Sequence, residues 1–457
     1  MTRSILILAL MASACAGPRP MAPGAASVAP PAGWRTGGTA DTVIATEWWR
    51  TFGDPVLARL IEQALANNPD IATAAARVEE ARAGVLAARG AQLPAIGVGG
   101  GPVEQRAINP FGVPVDQTIG QVQATVSYDF DLFGRLRNQT AAARATLLSA
   151  QAARDTVRLA IATSTASAYM TLRSLDARLA VLRETLAARA ESRRIARRRF
   201  DVGYSSRFEL AQADADYRAT EQLIPAALLA ITRTEDAISV LTGTSPRAIE
   251  RGVALDRLAL PPITAPVPAS VLRCRPDIAQ AEAQIVAADR SLDSARAAFM
   301  PNIALTGSGG FVVSSLLANP VSIFSIGANA LQPIFQGGRL RAQADAAAAR
   351  RDQAAFAYRK AALGAFRDVD DALAGVRRYD EQERALAAQR DAAALALKLA
   401  TERYRSGYSA YLEQVDAQRG LLATELALVQ ARADRLTAAV TLYQALGGGW
   451  GVPSTAP

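Results

Sequence analysis

The sequence predicts a membrane α+β fold: one unit of about 200 residues built twice in tandem, with paired strands contributing to a β-barrel and long helices continuing it as an α-helical barrel. Three observations carry that prediction. From Arg135 to Val202 the chain runs 68 residues without Gly or Pro, rich in Ala, Leu and Arg. At about 1.5 Å per residue this is a helix of roughly 100 Å, far longer than a globular helix. A second run of 68 residues, Arg339 to Ser406, has no Pro and is interrupted only by Gly364 and Gly375. Both runs close on Gly-Tyr-Ser, at Gly203-Tyr204-Ser205 and Gly407-Tyr408-Ser409, with closing glycines 204 residues apart. Pro69-Asp70-Ile71 recurs as Pro276-Asp277-Ile278, 207 residues on.

The third observation is a period of two ahead of each long helix. Val122, Ala124, Val126, Tyr128 and Phe130 alternate with Gln121, Gln123, Thr125, Ser127 and Asp129. In the second copy Phe324, Ile326, Ala328 and Ala330 alternate with Ser325, Gly327 and Asn329. One face is apolar and the other polar, the pattern of a strand with two unlike surroundings. About 9 to 11 residues suffice to cross a bilayer at a tilt, and these runs are that long.

In order, residues 1–14 read as a signal peptide, with Arg3, the apolar run Ile5 to Met11, and Ala12, Ser13 and Ala14 ahead of Cys15. Small residues before a cysteine resemble a lipobox, which makes Cys15 the lipidation site, against a plain cleavage site with an incidental cysteine. Ala16 follows where an inner-membrane retention Asp would stand, so the address is the outer membrane. Residues 15–46, rich in Pro, Gly and Ala, read as a lipidated tether. Residues 47–246 form the first repeat, with strands at about 93–103 and 118–130 and the long helix at 135–202. A helix from about Val56 to Gln92 restarts at Pro69 with Asn68 as cap, and a returning helix, about Arg207 to Leu241, starts on a capping box of Ser206 and Glu209 and is kinked by Pro225. Residues 247–275 read as a linker crossing the outside. Residues 276–450 form the second repeat, with strands at about 303–312 and 322–332 and the long helix at 339–406, followed by a tail at 451–457.

Composition narrows the function. Half of the residues are apolar but only 6% are aromatic, which suits long helices packed closely. The net charge of +8 raises nucleic acid as a partner, but the arginines are spread along helices among 42 acids and read as solvated faces. The chain has no His, so the usual general base and the commonest metal ligand are both missing, and no enzyme, cofactor or metal site is expected. Its two cysteines, Cys15 and Cys274, fall in leader and linker and exclude a disulfide framework.

Four strands cannot close a barrel, and lipid does not tolerate open sheet edges. A homotrimer supplies twelve strands. The shorter helices at 56–92 and 207–241, placed end to end, match the length of the long one, so each protomer contributes four helices at every height. Twelve helices in a ring leave a lumen of roughly 25 to 30 Å.

Four phrases then resemble the outer-membrane efflux protein family, the TolC-like channels, and in particular the NodT and OprM type of outer-membrane lipoprotein. They are Trp48-Trp49-Arg50-Thr51-Phe52-Gly53-Asp54-Pro55, Leu272-Arg273-Cys274-Arg275-Pro276-Asp277-Ile278, Val415-Asp416-Ala417-Gln418-Arg419, and Leu442 to Trp450. Cys274 stands where that branch commonly has Arg. The resemblance implies a trimeric twelve-strand outer-membrane barrel in outer-membrane lipid, continuous with a periplasmic helical barrel. It also implies partnership with a periplasmic adaptor and an inner-membrane transporter, often of the resistance-nodulation-division (RND) class, and passive export of small toxic compounds.

On that reading the tips Gly203, Tyr204, Ser205, Gly407, Tyr408 and Ser409 dock the adaptor, although any hairpin needs such turn residues. Asp416, Asp214 and Asp216 are the candidates for the periplasmic aperture, against a plain role as solvated carboxylates. Arg193, Arg194, Arg197, Arg198 and Arg199 form a basic cluster that is either a solvated face, an adaptor contact or a partner for Glu402. The rival reading is a periplasmic adaptor-like or structural coiled-coil lipoprotein. Adaptors carry one hairpin flanked by lipoyl-like segments, whereas this chain has two hairpins, each preceded by a strand pair.

Overall fold

The computed structural model describes residues 18–35, 45–108, 110–260, 266–316 and 318–450. The leader, Cys15, residues 16–17 and 36–44 of the tether and the tail at 451–457 lie outside the described residues. In chain order the elements are helices α1 (Pro55–Asn67) and α2 (Pro69–Gly90), strands β1 (Ala95–Ile108) and β2 (Pro114–Phe130), helices α3 (Arg135–Asp201), α4 (Arg207–Glu221), α5 (Leu223–Leu241), α6 (Pro268–Cys274) and α7 (Pro276–Ala297), strands β3 (Asn302–Ser314) and β4 (Val321–Leu331), and helices α8 (Arg339–Arg405) and α9 (Tyr411–Ala445). The chain divides into two units, the first made of 1–28, 76–152 and 279–361, the second of 29–75, 153–278 and 362–457.

The first unit holds one antiparallel sheet in the order β1-β2-β3-β4. The two copies meet at β2 and β3, where Val122 pairs with Phe311 and Val126 with Gly307. Directly paired residues share a face, so the register sorts the side chains. Ile96, Val98, Val122, Val126, Leu305, Phe311, Phe324 and Ile326 fall on one face, and Gln121, Gln123, Thr125, Ser127, Thr306, Ser308 and Ser325 on the other. No strand residue is buried, and Phe324 is 89% exposed. The first strand pair extends past its alternating stretch through polar pairs, among them Arg106 with Asp116 at 3.3 Å.

In the same unit the helices pack through small residues, including Ala145, Ala347 and Ala355 with Leu136 and Leu292. The N-terminal segment corrects the reading of a free tether. Arg19 pairs with Asp289 at 2.7 Å and Asp293 at 3.0 Å, Arg351 donates to the carbonyls of Pro20 (3.0 Å) and Met21 (2.9 Å), and Arg359 to that of Ala25. A Pro-rich segment has backbone carbonyls that no helix or sheet uses, and arginines on α8 take them.

The second unit is organised around Trp48, which stacks on Tyr443 with centroids 4.9 Å apart and meets Trp49 and Phe52 edge-on. Leu57, Ile61, Tyr169, Met170, Leu182, Ile238 and Val440 complete that core. Asp54 ties it together: Oδ1 accepts from Val56 N–H at 2.8 Å and caps α1, while Oδ2 accepts from the Tyr169 hydroxyl at 2.8 Å and Val253 N–H at 2.9 Å. Part of the linker at 247–275 packs into this core. Ile249, Leu255 and Leu258 are buried in the core, and the linker includes α6 with the partly exposed Cys274 at its end.

The helix returning from the first tip is two helices, α4 and α5, meeting at Gln222. Pro225 has no N–H for the Glu221 carbonyl, and the chain breaks there. In the second copy α9 runs 35 residues unbroken. Asn68 caps α2, its Oδ1 accepting from Asp70 N–H at 2.8 Å. Only half of the expected capping box forms after the first tip: Ser206 Oγ accepts from Glu209 N–H at 3.3 Å, but the Glu209 carboxylate takes the hydroxyl of Tyr404.

Candidate functional site: the hairpin ends

Both hairpins, α3 with α4 and α8 with α9, end in one turn geometry. Gly203 and Gly407 sit at φ 76° and 82°, a left-handed conformation that costs glycine nothing and other residues a Cβ clash. Each turn closes with two backbone hydrogen bonds, Gly203 N–H to Phe200 C=O (2.9 Å) and Tyr204 N–H to Arg199 C=O (2.8 Å), then Gly407 N–H to Tyr404 C=O (3.1 Å) and Tyr408 N–H to Arg403 C=O (2.9 Å). This is the closure that satisfies a helix's last carbonyls. Tyr204 and Tyr408 are 86% and 81% exposed. A Cβ at either glycine meets no atom within 4 Å. Ser205 donates to the Ala196 carbonyl at 3.5 Å, while Ser409 is half-buried in its turn.

The two ends are joined. Arg199 donates to the carbonyls of Tyr404 (3.0 Å) and Arg405 (3.2 Å), satisfying the end of α8, and its guanidinium lies 4.2 Å from the Tyr404 ring centroid. Tyr404 and Tyr411 are buried with Ala196, Ala213 and Val415. Burial, and then the hydrogen bond to Glu209, raise the Tyr404 hydroxyl above its ordinary pKa.

The three aspartates part company here. Asp216 is buried on α4, and its Oδ1 accepts from Arg419 Nη2 on α9 at 2.7 Å. The buried Arg189 donates to the Asp216 carbonyl (2.8 Å) and Thr220 Oγ1 (2.7 Å). Desolvation lowers the Arg189 pKa, opposed by the Asp216 charge, whereas the hydrogen bond that Arg419 donates to Asp216 raises the Arg419 pKa. Burial and then the same carboxylate push the Tyr411 hydroxyl up to about 12. Beside them Ser192 Oγ accepts from Gln418 Nε2 at 3.1 Å and Gln414 Nε2 at 3.4 Å. The result is a polar latch from the first hairpin to the second, and sequence reasoning missed Arg189, Arg419, Gln414 and Gln418 as its members. The phrase Val415-Asp416-Ala417-Gln418-Arg419 was the signal for Gln418 and Arg419, and no sequence motif marked Arg189 or Gln414. Asp214 instead pairs with Arg193 on α3 at 2.7 Å, and Asp416 is exposed on α9. Arg194 pairs with Glu191, and among the described residues no arginine of the basic cluster pairs with Glu402.

A two-faced, four-stranded sheet with no buried residue, joined in sequence to helical hairpins, defines an outer-membrane efflux channel as the class of protein. The sequence pattern of outer membrane efflux proteins matches residues 60–244 and 267–448, one match for each copy, and the chain belongs to that family. It is 33% identical over 469 residues to the toluene efflux pump outer membrane protein TtgC of Pseudomonas putida, covering 98% of this chain and 96% of that one. It is 31% identical to the pyoverdine export outer membrane protein OpmQ of Pseudomonas aeruginosa, covering 98% and 96%. The crystal structure of the open state of the Neisseria gonorrhoeae MtrE outer membrane channel superimposes with a TM-score of 0.83 at 28% identity, covering 95% of this chain and 98% of MtrE. The chain is thus an outer-membrane efflux protein, and its work is transport.

Proposed function

We propose that three copies of the chain close a twelve-strand barrel in the outer membrane and continue it as an α-helical barrel in the periplasm, forming the exit duct of a tripartite pump. The sheet carries this reading. Among the described residues its outer strands β1 and β4 each pair on one side only, one face is apolar, and no strand residue is buried. In lipid an unpaired edge costs several kcal/mol per orphan N–H or C=O, so β4 of one copy must pair with β1 of the next. At four strands per chain, two copies make about eight, a width that interior side chains fill, whereas three leave a bore lined by Gln121, Gln123 and Thr125.

The duct is passive and not an enzyme. Energy comes from an inner-membrane transporter of the RND class, and small toxic compounds or drugs are the cargo. Cys15, acylated, adds a lipid anchor. The tips at Gly203-Tyr204-Ser205 and Gly407-Tyr408-Ser409 dock the periplasmic adaptor. Asp416 and Asp214 border the aperture, with Asp216 bracing it through Arg419.

In a host stripped of its own channel, the chain restores drug resistance and runs as a heat-dissociable trimer on gels. Gly407→Trp abolishes export and leaves the trimer intact; full export by that variant removes the tips from docking. Cys15→Ser loses incorporation of labelled palmitate, and retention of the label by that variant overturns the anchor.

A further inference from the structure

The first hairpin carries a feature that its turn chemistry does not require. Between α3 and α4 runs a groove of about 580 Å³, floored by Ala190, Ala211 and Leu210 and rimmed by Arg193, Arg194, Arg197 and Arg207. Asp214 neutralises Arg193 at 2.7 Å, and the Arg193 guanidinium also rests 5.0 Å from the Tyr217 ring centroid. Glu191 neutralises Arg194. Arg197 and Arg207 are exposed and have no carboxylate partner among the described residues. Phe208, next to Arg207, is 76% exposed, and Phe200 and Tyr204 are exposed nearby in sequence.

The duplication provides the control. With the 204-residue offset, Arg193, Arg194, Arg197 and Arg207 correspond to Leu397, Lys398, Thr401 and Tyr411. The second hairpin makes the same turn without the arginines, so folding does not demand them. Nor do they serve solubility alone, since an unpaired guanidinium pair over an alanine floor is a shaped site: small residues let another helix approach, and the fork of Arg favours a carboxylate.

We propose that this groove seats one helix of the periplasmic adaptor, an acidic helix whose Asp or Glu is held by Arg197 and Arg207 and whose flanking apolar residues cover Phe208. The second hairpin's corresponding face is not bound in this way. The proposal rests on adaptor docking at the tips and names the side chains that read the partner there.

The probe is the full-length soluble adaptor with which this chain restores export in the channel-deleted host, titrated onto the purified trimer at low and high salt. The double variant R197E/R207E weakens binding by about tenfold or more and reverses the sign of its salt dependence, as expected where an attractive pair is made repulsive. R197K/R207K keeps the sign of the salt dependence and binds between the wild type and R197E/R207E, since it retains the charge without the fork, and K398E on the second hairpin changes binding less than twofold. Unchanged affinity in R197E/R207E overturns the groove; if G203W and G407W still abolish binding, docking at the tips survives that failure. If neither tip variant weakens binding, the docking reading itself falls. Loss of the heat-dissociable trimer in R197E/R207E assigns the groove to a second copy of this chain and overturns the proposal.

Discussion

The first hairpin turns at Gly203 and the second at Gly407 with the same left-handed glycine and the same pair of closing hydrogen bonds, yet most of the charged positions on their flanks differ. Glu209 and Glu413 correspond, as do Arg199 and Arg403. Asp216, however, corresponds to Gly420, Arg419 to Ala215, and Arg189 to Ala393. The buried charge therefore sits on the first hairpin and its exposed partner on the second, with no mirrored pair. Duplication has preserved backbone rhythm, which any αα-turn of this length needs, and released side chains to make the halves complementary to each other.

The comparison breaks most sharply at Asp216. If the pairing with Arg419 is what joins the halves, Asp216→Ala removes that ion pair and the carboxylate charge facing the buried Arg189, whose hydrogen bonds to the backbone carbonyl of residue 216 and to Thr220 remain, and losing a hydrogen bond to a charged group costs about 1.5 to 3 kcal/mol. Tryptic cleavage in the Arg193 to Arg199 stretch then rises by about tenfold or more, since proteolysis follows the population of locally opened chain. The swapped double variant Asp216→Arg with Arg419→Asp recovers part of that protection, and the coupling between the two sites is read from the full cycle. Cleavage that matches the wild type in Asp216→Ala makes the two hairpins independent.

This latch also marks where the sequence stopped being readable. The duplication, the strand alternation from Gln121 to Phe130 and the turn glycines rest on neighbours within a few residues, and all were legible. Asp216 was not, because its burial depends on Arg419, which lies 203 residues away; on its own helix it looks like any solvated carboxylate between Ala215 and Tyr217. The strap at 18–35 was hidden for a different reason. Its composition lacks an apolar pattern, and its attachment comes from Arg351 and Arg359 reaching backbone carbonyls, a contact that does not depend on side-chain identity in the strap. Trp34 adds a donor to the Pro266 carbonyl at 2.8 Å, equally invisible without the fold.

A smaller effect separates the halves by pH. Tyr411 lies at the start of α9 where the first copy has Arg207, and only the second hairpin buries a phenol at that position. Burial raises its pKa from an unfolded value of about 10 to about 12. The folded state therefore holds the proton more tightly. That stabilisation is complete below the unfolded value and is lost as pH rises from about 10 through about 12, amounting to about 2 to 3 kcal/mol. Tyr411→Phe lessens the alkaline loss: the helical circular dichroism signal survives to higher pH, and the tyrosinate absorbance titration loses one phenol near pH 12. An unchanged alkaline transition places the weakness elsewhere, with Tyr404 the next phenol to replace.

The smallest effect on stability belongs to Asp416, whose counterpart in the first copy is Gln212. Asp416 is exposed on α9, and it adds to the charge that raises the Arg419 pKa. Removing an exposed carboxylate changes stability by less than about 0.5 kcal/mol, so Asp416→Ala folds, trimerises and resists trypsin as the wild type does. If three such carboxylates border the aperture, their field concentrates cations there. Single-channel recordings in planar bilayers then show lower cation preference in Asp416→Ala, most clearly at low salt where screening is weak. Asp416→Asn gives the same loss because the charge, not the side-chain length, is responsible. Wild-type selectivity in both variants leaves Asp416 a solvated side chain, and the functional difference between the two hairpins then reduces to the Asp216 latch and the arginine groove.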